Sequence, residues 1–501
     1  MTPWKDIINM RGAFKMMAII EKIVWEYLWG MPLIILSLAV GVYFTVSSGF
    51  FQFRFFKHAM SVAYKKFFTK NGEEEHGTIS PLQALSVAIG ATVGVGNIGG
   101  VATAIAVGGP GAVFWLWVAG TLGQMIKVVE VSLAVHYRNN RSDGSTFGGP
   151  TYYMKKGLGE EKGMKKLASI LAFIFLFGFG VCFFITMQNY TVSEAVASTF
   201  NVDMMTVSIV YTVLLYLMIS GGLKSLGRIA SYLVPFMCLF YILGGLFIIG
   251  KHATMIPGVF GMIFNGAFSG TAAVGGFAGA AFSQVIKIGM SRAVFSNEAG
   301  WGSSPMIHAS AKTNHPVSQG ILGVFEVFVD TIVICTITSL VILVTGEWSS
   351  GLSGAALTLS AFELGIGNVG RIILTVGILL FGITTSSGIY AQIEVLVRYL
   401  LGENKNAETI EKRVLSIYKW AFPIPGLLLV LLAVKNGLPG TSVWLFADMS
   451  TALPIFANLT VILILSGKFF ELLKDYKARY LNIGQVDPNF KVFYEDFVEK
   501  E

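Results

Sequence analysis

Long apolar runs, separated by short polar stretches, dominate the chain. A membrane-crossing helix needs about 20 consecutive apolar residues. Eleven stretches read as spans: 31–50, 81–107, 111–136, 168–188, 204–221, 230–251, 268–289, 319–345, 372–395, 416–435 and 443–466. Those at 81–107 and 268–289 are rich in Gly and weak in hydropathy. After the first span, five lie in 81–251 and five in 268–466. Five is odd, so the two halves cross the membrane in opposite senses, and each half opens on a Gly-interrupted span. The pattern predicts an all-α membrane protein of about 11 transmembrane helices, a 5+5 inverted repeat after one extra N-terminal helix. Residues 1–80 read as an amphipathic segment, the first span and a basic loop, and 467–501 as a cytoplasmic tail. The repeat rests on span number and Gly placement, because the halves show no convincing residue-level identity.

Composition agrees. Hydrophobic residues make up 54% of the chain and charged residues 13%, against about a quarter charged in soluble domains. In a soluble protein the net charge of +7 would raise nucleic-acid binding. Here the basic residues fall between apolar runs and report topology instead, with the lipid bilayer as partner and no nucleic acid. The loops 51–80, 137–167, 222–229, 290–318 and 396–415, with the tail from 467, hold 26 Lys and Arg residues. The loops on the opposite side hold only Arg371. That asymmetry predicts a multi-pass cell (inner) membrane protein with its N-terminus outside and its C-terminus cytoplasmic. The basic residues before the first span run against the rule. Residues 1–30 scatter charge among apolar positions, which suits a surface helix rather than a cleavable signal peptide. Cys182, Cys238 and Cys335 sit inside apolar runs without metal-ligand spacing and read as small buried hydrophobes.

The two interruptions carry the chemistry. The first reads Gly90-Ala91-Thr92-Val93-Gly94-Val95-Gly96-Asn97-Ile98-Gly99-Gly100, the second Gly275-Gly276-Phe277-Ala278-Gly279-Ala280-Ala281-Phe282-Ser283-Gln284. A broken helix frees amide N–H groups, which attract a carboxylate, and carbonyls, which attract a cation. Gly94 and Gly96 let backbone approach a ligand, and Asn97 adds a neutral donor and acceptor. An amino acid with a small cation matches that inventory. The competing reading is close helix packing by small residues, weakened by two such spans at matching places. Gly94-Val95-Gly96-Asn97-Ile98-Gly99 also fits a dinucleotide fingerprint, but no strand precedes it.

Thr384, Thr385, Ser386 and Ser387 bring four hydroxyls together in the ninth span, hard ligands for a cation unless each bonds the carbonyl one turn back. Among ionisable residues inside spans, Lys127 and Glu130 lie one turn apart and are placed to pair. Asp330, Lys287, Glu394 and the polar Gln188 are further candidates, each with a structural reading of equal weight. Lys287 reads as lying near the inner end of the seventh span. No hydrolase, metal or nucleotide-binding motif is present. The chain therefore reads as no enzyme, without a covalent cofactor, and its transport draws on an ion gradient or is passive.

Four blocks resemble the alanine or glycine:cation symporters, the sodium:alanine symporter family. They are Gly108-Gly109-Pro110-Gly111-Ala112-Val113-Phe114-Trp115-Leu116-Trp117-Val118, Gly148-Gly149-Pro150-Thr151-Tyr152-Tyr153, Ser296-Asn297-Glu298-Ala299-Gly300 with Trp301-Gly302-Ser303-Ser304-Pro305, and Phe328-Val329-Asp330-Thr331 with Cys335-Thr336. They run in family order. The resemblance implies a LeuT-type fold and sodium-coupled symport of a small neutral amino acid. It implies a substrate carboxylate at Gly94, Val95 and Gly96 beside Asn97, with Gln188 as a substrate contact and Phe277, Ala278 and Phe282 on the apolar side. Sodium, the coupling ion, would meet the carbonyls of Gly90 and Val93 and the hydroxyls of Thr384, Thr385 and Ser386.

The chain departs from the family pattern at three points. Val95 stands where most members have Thr, Ile389 where they have Trp, and Lys287 where an apolar residue is usual. Ile389 frees pocket volume, which favours a larger neutral amino acid such as glutamine or a branched aliphatic one. Proton coupling through Lys287 is the alternative to sodium. A passive channel or a substrate sensor are the remaining classes.

Overall fold

The computed structural model describes residues 22–68, 77–141, 144–184, 187–269, 282–402, 407–436 and 440–495. The N-terminal surface helix expected over residues 1–30 falls mostly outside this set. So does the heart of the second Gly-rich interruption, including Phe277 and Ala278.

The principal helices follow in chain order. They are α1 (Glu26–Ser47), α2 (Pro81–Thr92), α3 (Val101–Gly108), α4 (Ala112–His136), α5 (Lys165–Phe184), α6 (Met187–Phe200), α7 (Met204–Ile219), α8 (Gly222–Lys251), α9 (Ile256–Ser269) and α10 (Phe282–Asn297). Then come α11 (Ser303–His308), α12 (Pro316–Val344), α13 (Gly354–Ile366), α14 (Asn368–Leu401), α15 (Thr409–Asn436), α16 (Gly440–Ile464) and α17 (Ser466–Leu481). Among the described residues the only paired strands are β1 (Asn139–Asn140) and β2 (Thr146–Phe147).

Among the described residues seven helices are long and apolar enough to cross a membrane, or up to nine if each bent pair is one span. Eleven were expected. Most of the first half of the expected seventh span, 270–281, lies outside the described residues, and the rest of the difference has physical causes. The 16-residue α7 falls short of a full span by length. The seventh span extends beyond its expected limit at 289 to Asn297. Its second half carries Ser291, Arg292, Ser296 and Asn297, all buried by protein rather than lipid, which ends the apolar pattern early. Residues 252–267 and 346–371 were read as loops, yet they hold the helices α9 and α13. At 1.5 Å per residue these reach only about 20 Å, too short to cross the hydrocarbon core.

Phe236, Leu239, Leu243 and Phe247 on α8 are each more than half exposed. So long an apolar stripe suits lipid contact. The tail is not free. The helix α17 bends 63° from the end of α16 and buries Phe469, Leu472, Leu473 and Tyr476. Beyond it, the Tyr494 N–H donates to the His136 carbonyl at 2.9 Å, and Lys156 pairs with Glu495 at 3.3 Å. The last described residues thus dock on the end of α4.

Candidate functional site

The first interruption forms as expected. Ser80 caps α2: its hydroxyl accepts from the Gln83 N–H at 3.1 Å, while the Gln83 side chain accepts from the Ser80 N–H at 3.0 Å. The helix stops at Val93, whose ψ of 97° is extended. A wide turn at Gly96–Gly100 restarts it, and the two halves meet at 44°. Asn97 holds the break together. Its Oδ1 accepts from the Gly94 N–H at 2.8 Å.

The long helix α14 lies along this break. The Thr385 hydroxyl donates to the Gly90 carbonyl at 3.2 Å. Contact is so close that a Cβ at Gly94 would collide with the Thr385 hydroxyl, and one at Gly388 with Ala91. The absence of a side chain at Gly94 is what lets the hydroxyl in.

The structure separates the other hydroxyls. Thr384 bonds back to the Leu380 and Phe381 carbonyls, both at 3.0 Å. Ser387 bonds the Thr384 carbonyl at 2.8 Å. Ser386 meets Tyr211 of α7 at 2.7 Å. Of the expected cation ligands, Gly90 and Thr385 are in direct contact and Val93 lies buried one turn away. Thr384 and Ser386 hold other partners.

Of the expected substrate contacts, Gly94, Val95, Gly96 and Asn97 form the buried break itself. Gln188 opens α6, which packs on α14, and its buried Oε1 has no partner among the described residues. Ile389 is buried on α14. Phe282 opens α10, but its side chain, with Phe277 and Ala278, lies outside the described residues. What α10 brings to the break instead is Phe295 and Ser296: a Cβ at Gly96 would come within 3.2 Å of the Phe295 ring.

Asp330, on α12, is fully buried beside the break. Its carboxylate accepts from Asn97 Nδ2 at 2.6 Å, Ser296 Oγ at 3.0 Å and Thr331 Oγ1 at 2.8 Å. Asn297 donates to Thr331 at 3.0 Å. The break, α10 and α12 are therefore tied together by neutral donors around one carboxylate. Asp330, Asn97, Ser296 and Thr331 all stood in stretches legible in the sequence; that they meet at one carboxylate was not.

A second buried cluster surrounds Lys127. Its Nζ lies 3.5 Å from Glu130 and 3.5 Å from Glu326. It also donates to the Glu298 carbonyl at 3.2 Å and to Ser304 at 3.1 Å. Asn458 of α16 donates to Glu130 at 2.8 Å, and His308 meets Glu326 at 3.1 Å. Ser303 donates to the Glu298 carboxylate. The pairing of Lys127 with Glu130 follows from their spacing. Glu326 and His308 escaped the sequence reading because only the fold brings them to Lys127.

Lys287 is placed differently from expectation. Its helix turn packs on the start of α4: a Cβ at Gly289 would meet the Ala112 carbonyl, and one at Gly108 would meet Ile288. That is the end of α4 opposite His136, away from the basic loops. The misplacement follows from ending the span at 289.

Residues 14–491 match the sodium:alanine symporter family. The chain belongs to that family. It is 37% identical over 467 residues to an uncharacterized transporter of Haemophilus influenzae, covering 92% of this chain and 96% of that one. It is 37% identical over 448 residues to the sodium/alanine symporter AgcS of Methanococcus maripaludis, covering 88% and 93%. Over 488 residues it is 35% identical to the probable sodium/glutamine symporter GlnT of Bacillus subtilis, covering 97% and 95%. This is a family of amino-acid symporters built of transmembrane helices and coupled to sodium transport. Its members are transporters, and the apolar helices make this one a multi-pass membrane protein.

Proposed function

We propose that the protein carries a small neutral amino acid into the cell together with sodium, by alternating access. The observation that supports this best is the Thr385 hydroxyl bonded to the Gly90 carbonyl across the broken helix. Two hard neutral oxygens meet there from separate elements, and a sodium ion between them would tie α14 to α2. Val93 would add a carbonyl, and Thr384 and Ser386 would have to exchange partners to join. The amino acid would place its carboxylate on the N–H groups of the break, with Asn97 and Gln188 beside it. On this reading residues 81–251 and 268–466 form the two inverted halves of a LeuT-type fold. The N-terminus lies outside and the C-terminus in the cytoplasm.

The substrate class includes alanine and glycine. Two features favour a larger side chain such as that of glutamine: the buried Ile389 in place of a Trp, and the relative named as a probable sodium/glutamine symporter.

The test is uptake of a labelled panel of neutral amino acids into proteoliposomes, with and without an inward sodium gradient. Concentrative uptake that requires sodium is expected, with glutamine competing at least as well as alanine. Uptake that follows a proton gradient and ignores sodium would overturn the coupling, and alanine outcompeting every larger side chain would overturn the substrate.

A further inference from the structure

Thr385, Gly388 and Gln392 follow an i, i+3, i+7 spacing on α14, so they share one face. That face lies against α2. Thr385 meets Gly90 and Gly94, while Gly388 meets Ala91. The helix α8 lies parallel to α2, with Gly227 on Gln83 and Val234 on Gly90, and antiparallel to α14, with Gly244 on Ile373 and Met237 on Thr384, so α2 and α14 run antiparallel. One turn further, the same register brings Gln392 to the level of Ser86 and Val87. Ser86 lies four residues before Gly90. The short helix α11 packs on both α2 and α14.

Gln392 is 0% exposed and Ser86 1%. Neither polar atom of the Gln392 amide, nor the Ser86 hydroxyl, has a hydrogen-bond partner among the described residues. An amide buried without partners is unfavourable, because the water it gave up is not replaced. The other buried hydroxyls on these two helices have partners, on their own helix or across to another: Thr92 bonds back to the Ala88 carbonyl at 3.1 Å and Thr384 to Leu380 at 3.0 Å, while Thr385 reaches Gly90 and Ser386 meets Tyr211. Ser86 makes no such bond. Two unpartnered side chains at one level of one helix seam call for a polar guest.

We propose that Gln392 and Ser86 form a transit station for the coupling cation, on the side of the basic loops from the Gly90–Thr385 contact: Ser86 lies one helical turn from Gly90 and Gln392 two turns from Thr385. The Gln392 amide oxygen and the Ser86 hydroxyl are hard neutral ligands, which suit sodium. Neither is a carboxylate, so the ion is held weakly enough to leave. The amide nitrogen serves a water that travels with the partly hydrated ion. The station lies on the inward route, and it rests on the reading of the protein as a sodium symporter.

The experiment compares wild type with Gln392→Leu, Gln392→Glu and Ser86→Ala in proteoliposomes. Two rates are read: net sodium-driven uptake, which requires sodium to leave inward, and amino-acid exchange with saturating sodium on both sides, which does not. Gln392→Leu is expected to lower net uptake about tenfold more than exchange, the effect of about 1.4 kcal/mol on the release step. Ser86→Ala shifts the ratio in the same direction by less. Gln392→Glu holds the ion and makes uptake more sensitive to internal sodium. Parallel loss of both rates in Gln392→Leu, or no loss in either, overturns the station. If that variant does not fold, unchanged inhibition of Gln392→Glu by internal sodium overturns it. Wild-type uptake indifferent to sodium would instead overturn the symport reading, whatever the variants do.

Discussion

The seam between α2 and α14 and the cluster around Lys127 are both buried and both polar, but they are built from different chemistry. The seam joins hydroxyls, carbonyls and an amide. The cluster joins Lys127 to Glu130 and Glu326. A neutral hydrogen bond is worth about 0.5–1.5 kcal/mol net, so its partners exchange at modest cost. Removing one member of a buried ion pair costs about 3–5 kcal/mol. The contrast separates a part of the molecule that can rearrange during transport from a part that holds its shape. The seam is where a cation and a substrate would come and go. The Lys127 cluster pins α4, α11, α12 and α16 to one another.

The contrast breaks most visibly at Lys127. Lys127→Met leaves Glu130 and Glu326 buried without their cation, and should lower stability by about 3–5 kcal/mol. Thermal unfolding of the purified protein in detergent would show it; an unchanged midpoint would mean the cluster anchors nothing.

Gly94→Ala comes next. Its methyl group must displace the Thr385 hydroxyl, a misfit costing about 1–3 kcal/mol. The expected result is a folded protein whose half-saturating sodium concentration rises roughly tenfold or more. Wild-type sodium dependence would show that the close approach is incidental.

Asn97→Ala removes one donor from Asp330 and frees the Gly94 N–H, at about 1–3 kcal/mol. Transport should suffer more than stability, since the lost bonds hold the break rather than the core. Equal losses in both would move Asn97 from the rearranging part to the fixed part.

The hydroxyl series sharpens the comparison within the seam. Thr385→Val should raise half-saturating sodium by up to roughly tenfold. Ser386→Ala should raise it less, because that hydroxyl meets Tyr211. Equal effects from the two would indicate that Ser386 turns toward the ion.

The smallest effect lies outside both regions. His315, which precedes α12, sits 3.2 Å from Asp475 of α17. Burial pushes its pKa down to about 4, against the opposing pull of the Asp475 carboxylate. The unfolded chain therefore binds the proton first, near pH 6.5. Stability is expected to fall as the pH drops from about 6.5 towards 4. His315→Gln should flatten that loss in a thermal unfolding series, and an unchanged slope would assign it to other groups.

How far the sequence could be read tracks the same divide. The break at Gly94–Gly100 was legible because a Gly-rich run inside an apolar span has few other uses. Thr385 was legible as part of a hydroxyl cluster, but helix rotation decides which hydroxyl faces α2, and four adjacent residues point four ways. The second half of α10 was cut short because its polar residues are covered by protein, and hydropathy cannot tell protein from lipid. The Lys127 cluster showed only its local pair. Glu326 and His308 come from other elements, and no spacing connects them. Gln392 drew no notice, since a single amide near a helix end looks like any interfacial residue until its neighbours are known.

The docked tail has a consequence for biosynthesis. The contacts of Tyr494 with His136 and of Glu495 with Lys156 join the last described residues to the end of a helix made some 350 positions earlier. That end of α4 stays without these contacts until residues 494 and 495 have been made. A chain halted before residue 490 would carry every long apolar helix yet leave that face open to quality control. Synthesis of residues 494 and 495, rather than insertion of the last span, would then mark the point at which that end of α4 is covered.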